Sequence, residues 1–97
     1  MEAQAQAEAF EVIDGYDRSK NPRRVRVRQM TLDEVKALTW GHVKVIDRNG
    51  KLRDAKINGK VRRWKREPDR FELPLKYGMY EYFTVNNQTI DMLVVEL

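Results

Sequence analysis

Val43-Lys44-Val45-Ile46-Asp47-Arg48-Asn49-Gly50-Lys51-Leu52-Arg53-Asp54-Ala55-Lys56-Ile57-Asn58-Gly59-Lys60-Val61 decides the fold. Short runs rich in β-branched residues are cut by two Asn-Gly pairs, and both residues of such a pair tolerate φ > 0. Each pair therefore suits a two-residue type I′ turn. The expected hairpins join Val43–Asp47 to Leu52–Ile57, and Lys51–Ile57 to Lys60–Arg66.

The same punctuation continues downstream. Glu67-Pro68-Asp69 is a turn, after which Phe71, Leu73 and Leu75 alternate with Glu72, Pro74 and Lys76. That alternation predicts a strand, and Pro74, which has no N–H to give a ladder, predicts that it lies at an edge. Tyr77-Gly78 breaks the chain before Met79–Val85, and Asn86-Asn87-Gln88 turns it into Ile90–Leu97. In this last stretch Ile90, Met92 and Val94 share one face while Leu93, Val95 and Leu97 share the other. A strand apolar on both faces must be covered twice.

Upstream, Met1–Ala9 holds no large apolar group and reads as a disordered tail. Phe10–Ile13 is a short strand ended by Asp14-Gly15. Arg24-Val25-Arg26-Val27-Arg28 has strict period-2 alternation, with Val25 and Val27 facing a core and Arg24, Arg26 and Arg28 sharing the opposite face. Thr31-Leu32-Asp33-Glu34 is a capping-box pattern, so a short helix is expected from about Leu32 to Thr39. Leu32, Val35 and Leu38 form its apolar stripe, Gly41 is its expected C-cap, and Trp40 is expected in the core. The fold class is mainly β: a meander of five to six short strands, as a small barrel or twisted sheet, with one short helix, in a single domain over residues 10 to 97.

A short helix followed by Gly41-x-Val43-x-Val45 and Gly-turned hairpins resembles SH3-like small β-barrels over residues 31 to 85. Two further segments, Asn58-Gly59-Lys60-Val61-Arg62-Arg63-Trp64-Lys65-Arg66-Glu67-Pro68-Asp69-Arg70 and Pro74–Tyr82, resemble small uncharacterised proteins of phage and mobile elements. The first resemblance implies a closed barrel. The second carries no function to transfer.

Charge is segregated along the chain. Arg23 to Arg66 holds fifteen of the nineteen basic residues and four acidic ones, a local charge of +11, while residues 1 to 22 and 67 to 97 carry −3 and −4. Such a distribution attracts a polyanion. The candidate nucleic-acid contacts are Arg24, Arg26 and Arg28 together with Lys60, Arg62, Arg63, Lys65 and Arg66. The other explanation for these charges is that they keep a sheet-rich protein dispersed and guard its edges.

Trp64 is the informative aromatic. In a regular strand it has the opposite parity to Val61, so either a bulge at Arg62-Arg63 returns it to the core, the expected placement, or it stands outside as a base-stacking platform. Tyr77, Tyr80 and Tyr82 are read as packing residues; the alternative is that they stack bases, but Glu72 and Glu81 nearby would repel phosphate. Leu93, Val95 and Leu97 are the candidate protein-interface residues, for a partner protein or a second copy.

Catalysis is not expected. His42 is the sole histidine and Ser19 the sole serine, and cysteine is absent, so the common nucleophile–base–orienter sets cannot be assembled. His42 reads as structural, the glycines as turn, cap or bend residues, and no metal or cofactor is implied. No apolar run is long enough to span a bilayer and no leader is recognisable, which points to an intracellular, cytoplasmic protein without a membrane partner. The expected function is a non-enzymatic nucleic-acid-binding module of weak sequence preference; the alternative is a protein-interaction or assembly module, such as a phage accessory or structural protein.

Overall fold

A computed structural model describes residues 8–97. The expected tail lies outside the described residues except for Glu8 and Ala9, which are exposed and belong to no element. The elements in chain order are β1 (Phe10–Tyr16), β2 (Pro22–Gln29), α1 (Leu32–Lys36), β3 (His42–Ile46), β4 (Leu52–Ile57), β5 (Arg62–Arg63), β6 (Phe71–Tyr77), β7 (Glu81–Asn86), a 3₁₀ turn (Ile90–Met92) and β8 (Leu93–Glu96). All eight strands join one antiparallel sheet in the order β1-β2-β8-β3-β4-β6-β5, with β7 alongside β6. The protein is mainly β, as the alternation predicts, but the sheet is not closed. A lone parallel bridge between Ile13 and Lys51 brings β1 beside the start of β4; it is one bridge and not a ladder, so the expected barrel gives way to an open sheet.

Residues paired directly across antiparallel strands project to the same face, and following the registers shows that the sheet is apolar on both. Val43, Val45, Ala55, Ile57, Phe71, Leu73, Leu75, Val85 and Leu93 lie on one face and, with Val35 of α1 and Val61, form the larger cluster. On the second face Val25, Val27, Leu52 and Val94 are buried, with Val12 and Ile46 against them. The two-sided reading holds for β8 alone: Ile90–Met92 is a 3₁₀ turn, not strand, and Ile90 and Met92 pack against the larger cluster, with Leu93 and not with Val94. Leu93 serves one cluster, Val94 the other, and β8 is central between β2 and β3.

Several local expectations change. Asp14-Gly15 does not end β1; the strand continues to Tyr16 through an irregularity in register, and the turn falls at Asp17, whose carboxylate accepts from Ser19 N (2.8 Å) and Asn21 N (3.0 Å). At Asn49-Gly50 only the glycine has positive φ (+76°), and Gly50 N donates to Asp47 O at 3.0 Å. This is a type I turn with a left-handed glycine after it, not type I′. The Asp47 carboxylate selects it by accepting from Asn49 N and Lys51 N, both at 2.9 Å.

Asn58-Gly59 joins no hairpin. Gly59 takes φ +124°, Asn58 N donates to Pro74 O (2.8 Å), and β4 pairs with β6 instead of β5. Three buried alternating side chains on β6 outcompete the two-residue, exposed β5 for the place beside β4. Pro74 consequently lies within an interior strand. Its carbonyl faces Asn58, so its nitrogen faces the same junction, where the ladder to β4 has ended and that to β5 has not begun. The missing N–H falls where no ladder acceptor waits.

The helix stops early. Thr31 and Glu34 form the predicted capping box, but Ala37, not Gly41, is the C-cap. Ala37 N bonds Asp33 O and Glu34 O and Leu38 N bonds Val35 O, tightening the final turn. Gly41, with φ +99°, leads into β3 and accepts from Ile57 N at 2.8 Å. Trp40, on the connecting loop, is 83% exposed and takes no part in the core.

Candidate nucleic-acid interface

The arginine alternation on β2 is real. Val25 and Val27 are buried and Arg24, Arg26 and Arg28 point to the opposite face, the one that also carries the larger cluster. The second stripe, around β5, is separated from β2 by β8, β3, β4 and β6. Arg62 pairs with Glu72 and so projects to the second face, whereas Arg63 pairs with Phe71 and projects to the first. Lys60, Lys65 and Arg66 are exposed in the flanking loops. The candidate cations do not make one continuous patch.

Two of them hold α1 in place. Arg28 forks onto Glu34 near its N-terminal end, with Nη1–Oε1 at 2.7 Å and Nη2–Oε2 at 2.9 Å. At the other end Arg63 donates from Nε to Lys36 O (2.8 Å) and from its Nη2 to Leu38 O (2.7 Å). A five-residue helix cannot persist on propensity. Its ends are therefore fixed by arginines from β2 and β5, with Lys36 Nζ reaching Pro68 O at 2.8 Å as a third tie.

The Arg28 fork and, secondarily, the Thr31 backbone N–H hold the Glu34 carboxyl down at about 2. A carboxyl lowered on folding contributes stability that is fully present above the ordinary Glu range and is lost as pH falls through its folded value. Glu34→Gln should flatten the decline in thermal midpoint between about pH 4 and pH 2. Melts of the two proteins across that window check this; parallel declines would show that the pair contributes nothing.

Trp64 joins neither core cluster. It is half-buried, with the Arg70 guanidinium 4.1 Å and that of Arg62 5.0 Å from its ring centroid. The chain leaves the sheet after Arg63, so Trp64 is not held to strand parity, and the expected return to the core does not occur. Arg62 also meets Glu72 at 3.2 Å and Arg70 meets Glu67 at 2.9 Å. Leu93 is fully buried, Val95 is half-buried and Leu97 is 64% exposed, so only the last two of the interface candidates are open to a partner.

The registers also reveal a feature that the sequence alone did not single out. His42 pairs with Lys56, Lys56 with Lys76 and Lys76 with Tyr82, making one row straight across β3, β4, β6 and β7 on the second face. At one interstrand step per pair the row is about 14 Å long. Asp54, on the next row, meets His42 Nδ1 at 2.8 Å and Lys44 Nζ at 3.7 Å. Among the described residues Lys56 and Lys76, directly opposite one another, form no ion pair with an acid. The row was hidden because it depends on β4 lying beside β6, which the Asn58-Gly59 reading excluded; the placement of Asp54 and Lys56, and of Glu72 and Lys76, opposite the apolar face of their strands was its only trace.

Among the described residues no group of three or more His, Cys, Asp or Glu gathers as a metal site, and no helix is long and apolar enough to cross a membrane. No protein family, curated protein or solved structure matches the chain.

Proposed function

We propose that the chain is a non-enzymatic nucleic-acid-binding module of weak sequence preference. The observation that carries this reading is the number of cations left without work. Of the fifteen basic side chains from Arg23 to Arg66, six are engaged: Arg28, Lys36, Lys44, Arg53, Arg62 and Arg63. The remaining nine, Arg23, Arg24, Arg26, Arg48, Lys51, Lys56, Lys60, Lys65 and Arg66, are all exposed, and among the described residues none makes an ion pair or hydrogen bond. Unpaired cations in such excess are suited to phosphates, which position a protein without reading sequence. Titration of a labelled mixed-sequence oligonucleotide, single- and double-stranded, at about 50 mM salt tests it. Micromolar or tighter binding that varies little with sequence is expected, and no binding of either form would overturn the reading.

A second reading, a protein-interaction module, has its own support. β1 has a ladder neighbour on one side, and Phe10, Ile13 and Tyr16 on it are exposed, as is Leu97 beyond β8. Edge strands with apolar side chains accept a further strand. A mass by sedimentation that rises with concentration, and falls back in Leu97→Ser, would favour it; a strict monomer would count against it.

A further inference from the structure

We infer that the occupant of the second face is a single strand of nucleic acid, its phosphate seated on the Lys56–Lys76 pair and its bases stacked on Tyr82 and Trp40. This rests on the nucleic-acid reading and moves its centre away from the arginines of β2.

Like charges directly opposite each other across a ladder destabilise a sheet. Among the described residues Lys56 and Lys76 hold that arrangement with no acid in ion-pair contact with either, while the neighbouring cations Lys44 and Arg62 each have one. Edge protection does not explain them, since lysines that guard against aggregation sit on edge strands and both β4 and β6 are interior. An anion between the two ammonium groups removes the repulsion, and a phosphodiester is such an anion.

The rings select the form of the polymer. Tyr82 ends the row next to Lys76, is 62% exposed, and is steadied by its hydroxyl donating to Met79 O at 3.2 Å. At the other end Trp40 lies two residues before His42, and the intervening Gly41 is bonded to Ile57, next to Lys56. Unstacked bases can lie on exposed aromatic rings, whereas in a duplex their faces are already occupied. Nor do the described residues offer a helix to enter a major groove: α1 has five residues, buries Val35 and is tied at both ends.

The test uses anisotropy titrations of the full chain with a 20-nucleotide mixed single strand and its duplex, at about 50 mM salt. The single strand should bind at least tenfold more tightly. Lys56→Glu, which converts a repulsive pair into an attractive one, should lower single-strand affinity at least tenfold while leaving the thermal midpoint unchanged or higher. Tyr82→Ala should weaken the single strand about 5- to 150-fold without altering the salt slope, as expected for loss of a stacked base. A duplex bound as tightly as the single strand overturns the inference. So does binding that survives both substitutions but is lost in Arg24→Glu/Arg26→Glu, which would leave the nucleic-acid reading standing. Absence of all binding removes both.

Discussion

Raising salt from about 50 to 200 mM should weaken single-strand binding about 300- to 6,000-fold if six to nine cations engage phosphate. The size follows from counterion release: each neutralised phosphate adds about 0.7 to the slope of log affinity against log salt for a single strand. Nine exposed, unengaged cations set the upper limit and the six candidates from Arg24 to Arg66 among them the lower. They are Arg24, Arg26, Lys60, Lys65 and Arg66 of the sequence candidates, with Lys56 from the row on the second face. Arg28, Arg62 and Arg63, attractive from the sequence, are left out because Glu34, Glu72 and the helix carbonyls already occupy them. Removing Lys65 and Arg66 together should reduce the slope by about 1.4 if both touch phosphate. A slope that stays near zero in the unaltered protein would mean that binding, if seen, is not carried by these charges.

Phe71→Ala should come close to unfolding the protein. Phe71 is the largest fully buried side chain and opens β6, the strand that meets β4, β5 and β7. Truncating a buried phenylalanine costs about 3–5 kcal/mol, against a total stability of about 5–15 kcal/mol for a domain of this size. The thermal midpoint should fall by at least about 12 °C. Trp40→Ala, removing a larger ring that is 83% exposed, should change stability by less than about 0.5 kcal/mol. Equal effects of the two substitutions would show that the burial described for Phe71 is wrong.

What could be read from the sequence was whatever is decided within a few residues. The Thr31–Glu34 cap, the inward Val25 and Val27, the Phe71-Leu73-Leu75 alternation and the doubly apolar β8 all depend on local hydrogen bonding or on period-2 alternation. The β3–β4 hairpin was legible from Asn49-Gly50, but strand partners beyond it were not, because they are settled by competition between distant segments. Asn58-Gly59 is locally suited to a hairpin, yet β6 brings more apolar surface to β4 than β5 can. The same competition set the candidate site. Once β4 lies beside β6, Lys56 meets Lys76, and the two arginine stripes end up far apart in strand order. The exposure of Trp40 depended on where a five-residue helix ends, and that is determined by Arg63, which lies on a different strand.

The position of β8 bears on how the chain assembles. Gln29 and Lys44 both pair with Val94, so apart from the lone Ile13–Lys51 bridge the β1–β2 hairpin and the β3–β4 hairpin are joined through residues near position 94. During synthesis those two hairpins can each form but cannot dock in the native order until that strand has left the ribosome exit tunnel. Contacts this distant in sequence slow folding, and until they form the facing edges of β2 and β3 remain open to other nascent chains. A release of ribosome-tethered chains at successive lengths should therefore show protease resistance appearing in one step, only after Val94 emerges.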